Sequence, residues 1–236
     1  MKTIGLLGGM SWESTVGYYR SINEGIREAL GDLHSAKIAM VSVDFDPIAK
    51  LQHEGEWEET GRLLAEDARR IQAAGADFLV ICTNTMHVVV PQIEAAIDIP
   101  ILHIADATAD VLGKRGIQTI GLLGTAFTME QDFYKGRLQE KHGIDVLTPN
   151  AEDRKLIHDV IYQELCLGNQ TDASRAEYVR IIDDLTERGA GAVILGCTEI
   201  GMLVKPSDTP VMLLDTTAVH AEKAVEAALA DEPLTA

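Results

Sequence analysis

A chain of 236 residues, 46% hydrophobic and 24% charged, has the composition of a folded globular protein with room for one large domain or two small ones. Its 37 Asp and Glu against 20 Lys and Arg give a formal net charge of -17, which repels phosphate backbones and anionic bilayers and argues against nucleic acid or a membrane surface as partner. Residues 1–9 carry one positive charge and an apolar run too short for a signal peptide, and no stretch is long enough to span a bilayer, so a cytoplasmic location is expected. Cys82, Cys166 and Cys197 are an odd count without close metal-type spacing, which argues against a disulfide framework and a metal site.

In chain order, short β-branched apolar runs alternate with longer segments of helical period, the pattern of an α/β protein with a mainly parallel sheet. Residues 4–7 read as the first strand. Ser11 then caps a helix whose apolar face is read from Val16, Tyr19, Ile22, Ile26 and Leu30, and which stops at Gly31. Further strands are predicted at 38–43, 78–81, 101–103, 120–123, 193–195 and 211–214. The run Gly5-Leu6-Leu7-Gly8-Gly9 lacks the spacing of a dinucleotide loop, and no phosphate-contacting lysine follows it. His87, His103 and His220 are dispersed, and His103 reads as a satisfied histidine at a strand end.

The chain also echoes itself. Thr3-Ile4-Gly5-Leu6-Leu7-Gly8 recurs 116 residues later as Thr119-Ile120-Gly121-Leu122-Leu123-Gly124, and Gly75-Ala76-Asp77-Phe78-Leu79-Val80-Ile81 recurs 114 residues later as Gly189-Ala190-Gly191-Ala192-Val193-Ile194-Leu195. A weaker echo pairs Pro100 and Asp106 with Pro210 and Asp215. Two pseudo-symmetric lobes are expected, 1–104 with 212–236 and 105–211. Ligands of parallel sheets bind beyond the carboxyl ends of the strands, which puts the expected active site in a cleft between the lobes. Carried forward without a gap, the second repeat lays Thr83 on Cys197, Asn84 on Thr198 and Thr85 on Glu199, and leaves Cys82 opposite Gly196. Neighbouring strand residues point to opposite faces, so Cys82 is expected to turn away as a small buried hydrophobe while Thr83 faces the site. A thiol at a strand end is a candidate base, its pKa tuned by partial burial and nearby dipoles.

The motifs Gly8-Gly9-Met10, Thr83-Asn84-Thr85-Met86-His87, Leu123-Gly124-Thr125 and Gly196-Cys197-Thr198-Glu199 together resemble the aspartate/glutamate racemase family over nearly the whole chain. That resemblance implies a homodimer that needs neither pyridoxal phosphate nor metal. It also implies proton transfer at the α-carbon of an amino acid by two cysteines on opposite faces. Here the first of those positions is Thr83, in a run that reads Cys-Asn-Thr-x-His in the family. A threonine hydroxyl can donate a proton but is a poor base, so the implied racemisation is lopsided and slow. Backbone donors of the Gly8-Gly9-Met10-Ser11 turn ahead of a helix suit a carboxylate. Thr125 mirrors that turn in the other half. Asn84, Thr85 and Thr198 are candidate donors, Glu199 a partner for the substrate ammonium, and Gln52, by resemblance, a neighbour of the side chain. Family members acting on aspartate resemble one another in a lysine before a Gly-Asn pair. Here Gly168-Asn169 follows Glu164-Leu165-Cys166-Leu167 instead. Aspartate or glutamate is expected first, with a broader or non-acidic specificity close behind. A single-cysteine decarboxylase or cis-trans isomerase, and a binding protein whose chemistry has weakened, remain as alternatives.

Overall fold

The computed structural model describes residues 1–197, 199–232 and 234, which fall into two compact units, 1–104 with 217–236 and 105–216. Elements follow in the order β1 (Ile4–Gly8), α1 (Trp12–Leu30), β2 (Ile38–Ser42), α2 (Phe45–Glu54), α3 (Trp57–Ala73), β3 (Phe78–Ile81), α4 (Val90–Glu94), α5 (Ile104–Lys114), β4 (Thr119–Leu123), α6 (Ala126–Glu130), α7 (Asp132–His142), β5 (Asp145–Leu147), α8 (Ala151–Gln163), α9 (Asp172–Glu187), β6 (Ala192–Leu195), α10 (Ile200–Leu203), β7 (Leu213–Asp215) and α11 (Thr216–Leu229). Short 3-10 turns, Thr85–Val89 and Leu165–Leu167, follow β3 and α8.

Both units are parallel sheets flanked by helices. Unit 1 has strand order β2-β1-β3, extended by an isolated parallel bridge from Leu79 to Ile101, and unit 2 has the order β5-β4-β6-β7. The register repeats as well. Ile4 pairs with Phe78 as Ile120 pairs with Ala192, and Leu79 pairs with Ile101 as Val193 pairs with Leu213. Glycine keeps the same close approach in each half: a Cβ on Gly5 would stand 2.6 Å from Ile71 Cγ2 of α3, and one on Gly121 would stand 2.9 Å from Leu185 Cδ1 of α9. In unit 1, α3 covers one sheet face through Leu64, Ala65, Ala68 and Ile71. On the other face α1 and α11 meet through Tyr18, Ile22, Ile26, Ala221, Ala224 and Ala228. In unit 2, α8 and α9 supply Ile157, Ile161, Tyr178, Ile181, Ile182 and Leu185.

Three details differ from the sequence reading. The inward face of α1 runs through Thr15, Tyr18, Ile22 and Ile26, while Val16, Tyr19 and Leu30 are exposed. The polar ends of Thr15 and Tyr18 find partners inside the fold, so these residues bury as readily as aliphatics. Residues 212–216 run with unit 2, because β7 pairs with β6, although the sequence division places them in the first lobe. The edge strand β5, only three residues long and half polar at its start, has no strand-like signal of its own.

Candidate active site

In unit 1 the candidate residues stand at the carboxyl edge of the sheet. β1 ends at Gly8, and a Cβ at Gly9 (φ 96°) would press within 2.4 Å of the Val43 carbonyl, so the turn needs glycine there. Thr15 Oγ1 accepts the Gly9 N–H at 2.8 Å and donates to the Ser11 carbonyl at 3.0 Å, which braces the turn from inside and commits one of the amides read as carboxylate donors. Ser11 caps α1 by accepting the Ser14 N–H. The Met10 side chain is buried in the core, so any contact it makes with a ligand is through its backbone. Gln52 is also buried, on α2, at 3% exposure.

Beside this turn, β3 carries the strand alternation to its end. Phe78, Val80 and Cys82 share one cluster with Ile4, Leu6 and Tyr18, while Leu79 and Ile81 face the α3 side. Cys82 is fully buried, and burial pushes its thiol far above the ordinary range. Its carbonyl accepts the Ser14 hydroxyl at 3.4 Å, tying the end of β3 to the first turn of α1. Thr83 is partly exposed, and Asn84 and Thr85 are buried as the chain enters its 3-10 turn.

In unit 2 the same edge is rebuilt from different residues. Thr125 follows β4 and caps α6 by accepting the Thr128 N–H at 3.4 Å, the role Ser11 has on α1. The adjacent Ala126 N–H is taken by His158 Nδ1 at 3.2 Å. Across the sheet, Gly196 N–H donates to the Leu123 carbonyl at 2.7 Å, and Cys197 follows, partly buried against the hydrophobic cluster of unit 2. Its thiol donates to Glu199 Oε2 at 2.8 Å. Burial pushes that thiol well up, and the Glu199 carboxylate and Cys166 push it further. Sequence reasoning gave the cysteine a tuned pKa and gave Glu199 to an ammonium. The structure pairs the two where the chain turns after β6. Thr198, read as a donor, lies outside the described residues. Cys166 is exposed in the turn after α8, yet acts electrostatically on Cys197.

A hydroxyl and a thiol follow equivalent strands, β3 and β6, each beside a strand that leads into a helix-capping turn. The Asp/Glu/hydantoin racemase family matches residues 7–224. A Yersinia pestis protein of known structure, provisionally described as an Asp/Glu racemase, is 53% identical, with 98% of this chain and 100% of that one covered at a TM-score of 0.94. An aspartate racemase homologue from Pyrococcus horikoshii is 34% identical, with 97% and 99% covered at a TM-score of 0.85. The broad specificity amino-acid racemase RacX of Bacillus subtilis is 20% identical over 232 residues, 96% of this chain and 98% of that one. The class is thus that of the racemases, which are isomerases. The chain belongs to the Asp/Glu/hydantoin racemase family.

Proposed function

We propose that the chain racemises free amino acids without a cofactor, with Cys197 and Thr83 as its two proton-transfer groups. The observation that carries this is the pair of strand ends: Cys82 is spent in the core, which leaves Thr83, in the position that the repeat matches to Cys197, as the reactive side chain after β3. Cys197 removes the α-proton of the L-enantiomer, because the second cysteine works on the L face in the glutamate racemases that the chain resembles. The Thr83 hydroxyl returns a proton from the other side. The two enantiomers of a free amino acid have equal energy, so forward and reverse catalytic efficiencies are equal whatever groups do the work. The asymmetry of the pair therefore shows in exchange: deuterium enters the L-substrate faster than D-product accumulates.

The Cys197 thiol rests against a carboxylate, so some cation must favour its ionised form. The substrate ammonium, placed beside Glu199, supplies that charge. The same surroundings favour a second reading of specificity. Aspartate and glutamate are the substrates in the family's description, but the groups that act on Cys197 from within unit 2 are Glu199 and Cys166. Glu199 sets a carboxylate beside the thiol, and Gly168-Asn169 follows Glu164-Leu165-Cys166-Leu167 without the lysine that family members acting on aspartate share, which supports neutral amino acids as substrates alongside, or ahead of, acidic ones, in line with the broad specificity of RacX. A homodimer and a cytoplasmic location complete the proposal, and light scattering tests the first.

Proton NMR in heavy water with L- and D-amino acids of acidic, neutral and basic side chain tests the whole reading. Loss of the α-proton from L-substrate ahead of inversion is the expected result. Loss of carbon dioxide or double-bond isomerisation in its place would mark the single-cysteine chemistry, and binding with no exchange would mark a binding protein.

A further inference from the structure

His87 belongs to the Thr83-Asn84-Thr85-Met86-His87 run, yet neither nitrogen of its ring is available for proton transfer. Nδ1 lies 2.9 Å from the Thr83 carbonyl oxygen and 3.2 Å from that of Asn84, and Nε2 receives the Ile104 N–H at 3.2 Å. A carbonyl oxygen only accepts and an amide N–H only donates, so Nδ1 carries the hydrogen and Nε2 the lone pair. The ring is held as one neutral tautomer.

Its surroundings hold it in place. His87 is 2% exposed, and its ring centroid is 4.5 Å from that of His103, edge to face, and 5.9 Å from that of His220. His220 is fixed in the opposite sense: Nε2 donates to the Leu102 carbonyl at 2.7 Å, and Nδ1 accepts the Tyr18 hydroxyl at 2.9 Å. Leu102 in turn donates to the Leu79 carbonyl of β3 at 2.9 Å. The segment that presents the Ile104 N–H is thereby pinned to the sheet on one side and to α1 and α11 on the other.

The Thr83 carbonyl is where this framework meets the site. Cys82 N–H makes a last bond to the Leu7 carbonyl at 2.9 Å, after which the chain leaves the sheet and turns at Asn84 into the helical region. A carbonyl beyond the sheet needs a partner, and the His87 imidazole supplies one to Thr83. Fixing that oxygen fixes the peptide plane between Thr83 and Asn84. With it goes the direction in which the Thr83 side chain leaves the backbone.

We propose that His87 is a positioning residue for Thr83, its Nδ1–H setting the peptide after β3 so that the threonine hydroxyl is aimed at the substrate. The proposal rests on the reading of Thr83 given above. It assigns His87 no proton transfer of its own, because both ring nitrogens are committed to backbone partners.

His87→Leu removes both bonds, and His87→Asn keeps a donor near the place of Nδ1 while losing the Ile104 link. The measurement is the ratio of α-deuterium uptake by L-substrate to the appearance of D-product, in heavy water, with the substrate that the unaltered protein exchanges fastest. Inversion by His87→Leu is expected to fall about tenfold or more while exchange stays within about threefold, and His87→Asn is expected to regain part of the inversion. Equal losses of exchange and inversion in the Asn variant would show a merely structural residue and overturn the proposal, even if the Leu variant fails to fold. No exchange in the unaltered protein would overturn the reading of Thr83 and Cys197 itself.

Discussion

Cys82 and Thr83 are one peptide apart, and what separates their burial is the alternation carried to the end of a four-residue strand. Phe78, Val80 and Cys82 pack on the α1 side, so replacing Cys82 by Ala removes one buried sulfur from a core and nothing from the proposed chemistry. Cys82→Ala is expected to cost about 1–2 kcal/mol in urea unfolding and to leave turnover within about threefold. Abolished turnover in a folded Cys82→Ala protein would show that the wrong neighbour was chosen. Cys197→Ser should lower α-proton exchange by about a thousandfold, the scale of a lost general base, with little change in stability, and Thr83→Cys should speed inversion. The burial of Cys82 was legible in the sequence, because strand alternation is local. The Cys197–Glu199 contact was not, since it depends on how the chain bends after β6, and the bracing of the Gly9 amide by Thr15 was hidden because threonine does not register as part of a hydrophobic face.

At the scale of elements, the repeat in sequence proves to be a repeat of contacts. Gly5 and Gly121 each sit on an inner strand of their sheet where a helix crosses closely, α3 over one and α9 over the other. Gly5→Ala would bring a methyl to 2.6 Å from Ile71 Cγ2 and 2.9 Å from the Phe78 carbonyl, the second of which is backbone and cannot step aside. The expected cost is about 1–3 kcal/mol in thermal or urea unfolding, and a smaller figure would mean that α3 can retreat. Strand positions were read well, apart from 101–103, which forms only a single bridge at Ile101, because buried parallel strands are short apolar runs with little else in them. The phase of α1 was misread for the opposite reason: its buried face mixes Thr15 and Tyr18 with aliphatics, while Val16 and Tyr19 look outward. Edge strand β5 escaped notice because only one of its sides pairs, and its composition is ordinary.

For the whole molecule, buried His220 of unit 1 sets a pH limit. Burial lowers the pKa of His220 to about 4, against an ordinary value of 6.5, although its bond to the Leu102 carbonyl acts the other way. Between those values the unfolded chain binds a proton that the folded chain refuses, so stability falls as pH falls through that window, by up to about 3 kcal/mol, and is unaffected above it. Urea midpoints measured at pH 7 and at pH 4.5 should therefore diverge, and His220→Gln should bring them closer together. Asp106 of α5 works at the other end of the scale. Burial would raise its carboxyl, but hydrogen bonds from Arg137, His142 and Lys141 hold it well below the usual carboxylate range, so it stays ionised throughout that window.

The last helix has a consequence for how the protein is made. Ala221, Ala224 and Ala228 of α11 complete the cluster around Tyr18, Ile22 and Ile26, and the Ala228 carbonyl receives the Lys2 N–H at 2.8 Å. On the ribosome, unit 2 has its whole sequence available once residue 216 has emerged, whereas unit 1, begun first, waits for α11. Its early strands and α1 spend that interval with an apolar face uncovered. The segment synthesised first is thus the one finished last, and a chain stalled after residue 216 should be held by chaperones or cleaved within unit 1 while unit 2 already resists protease.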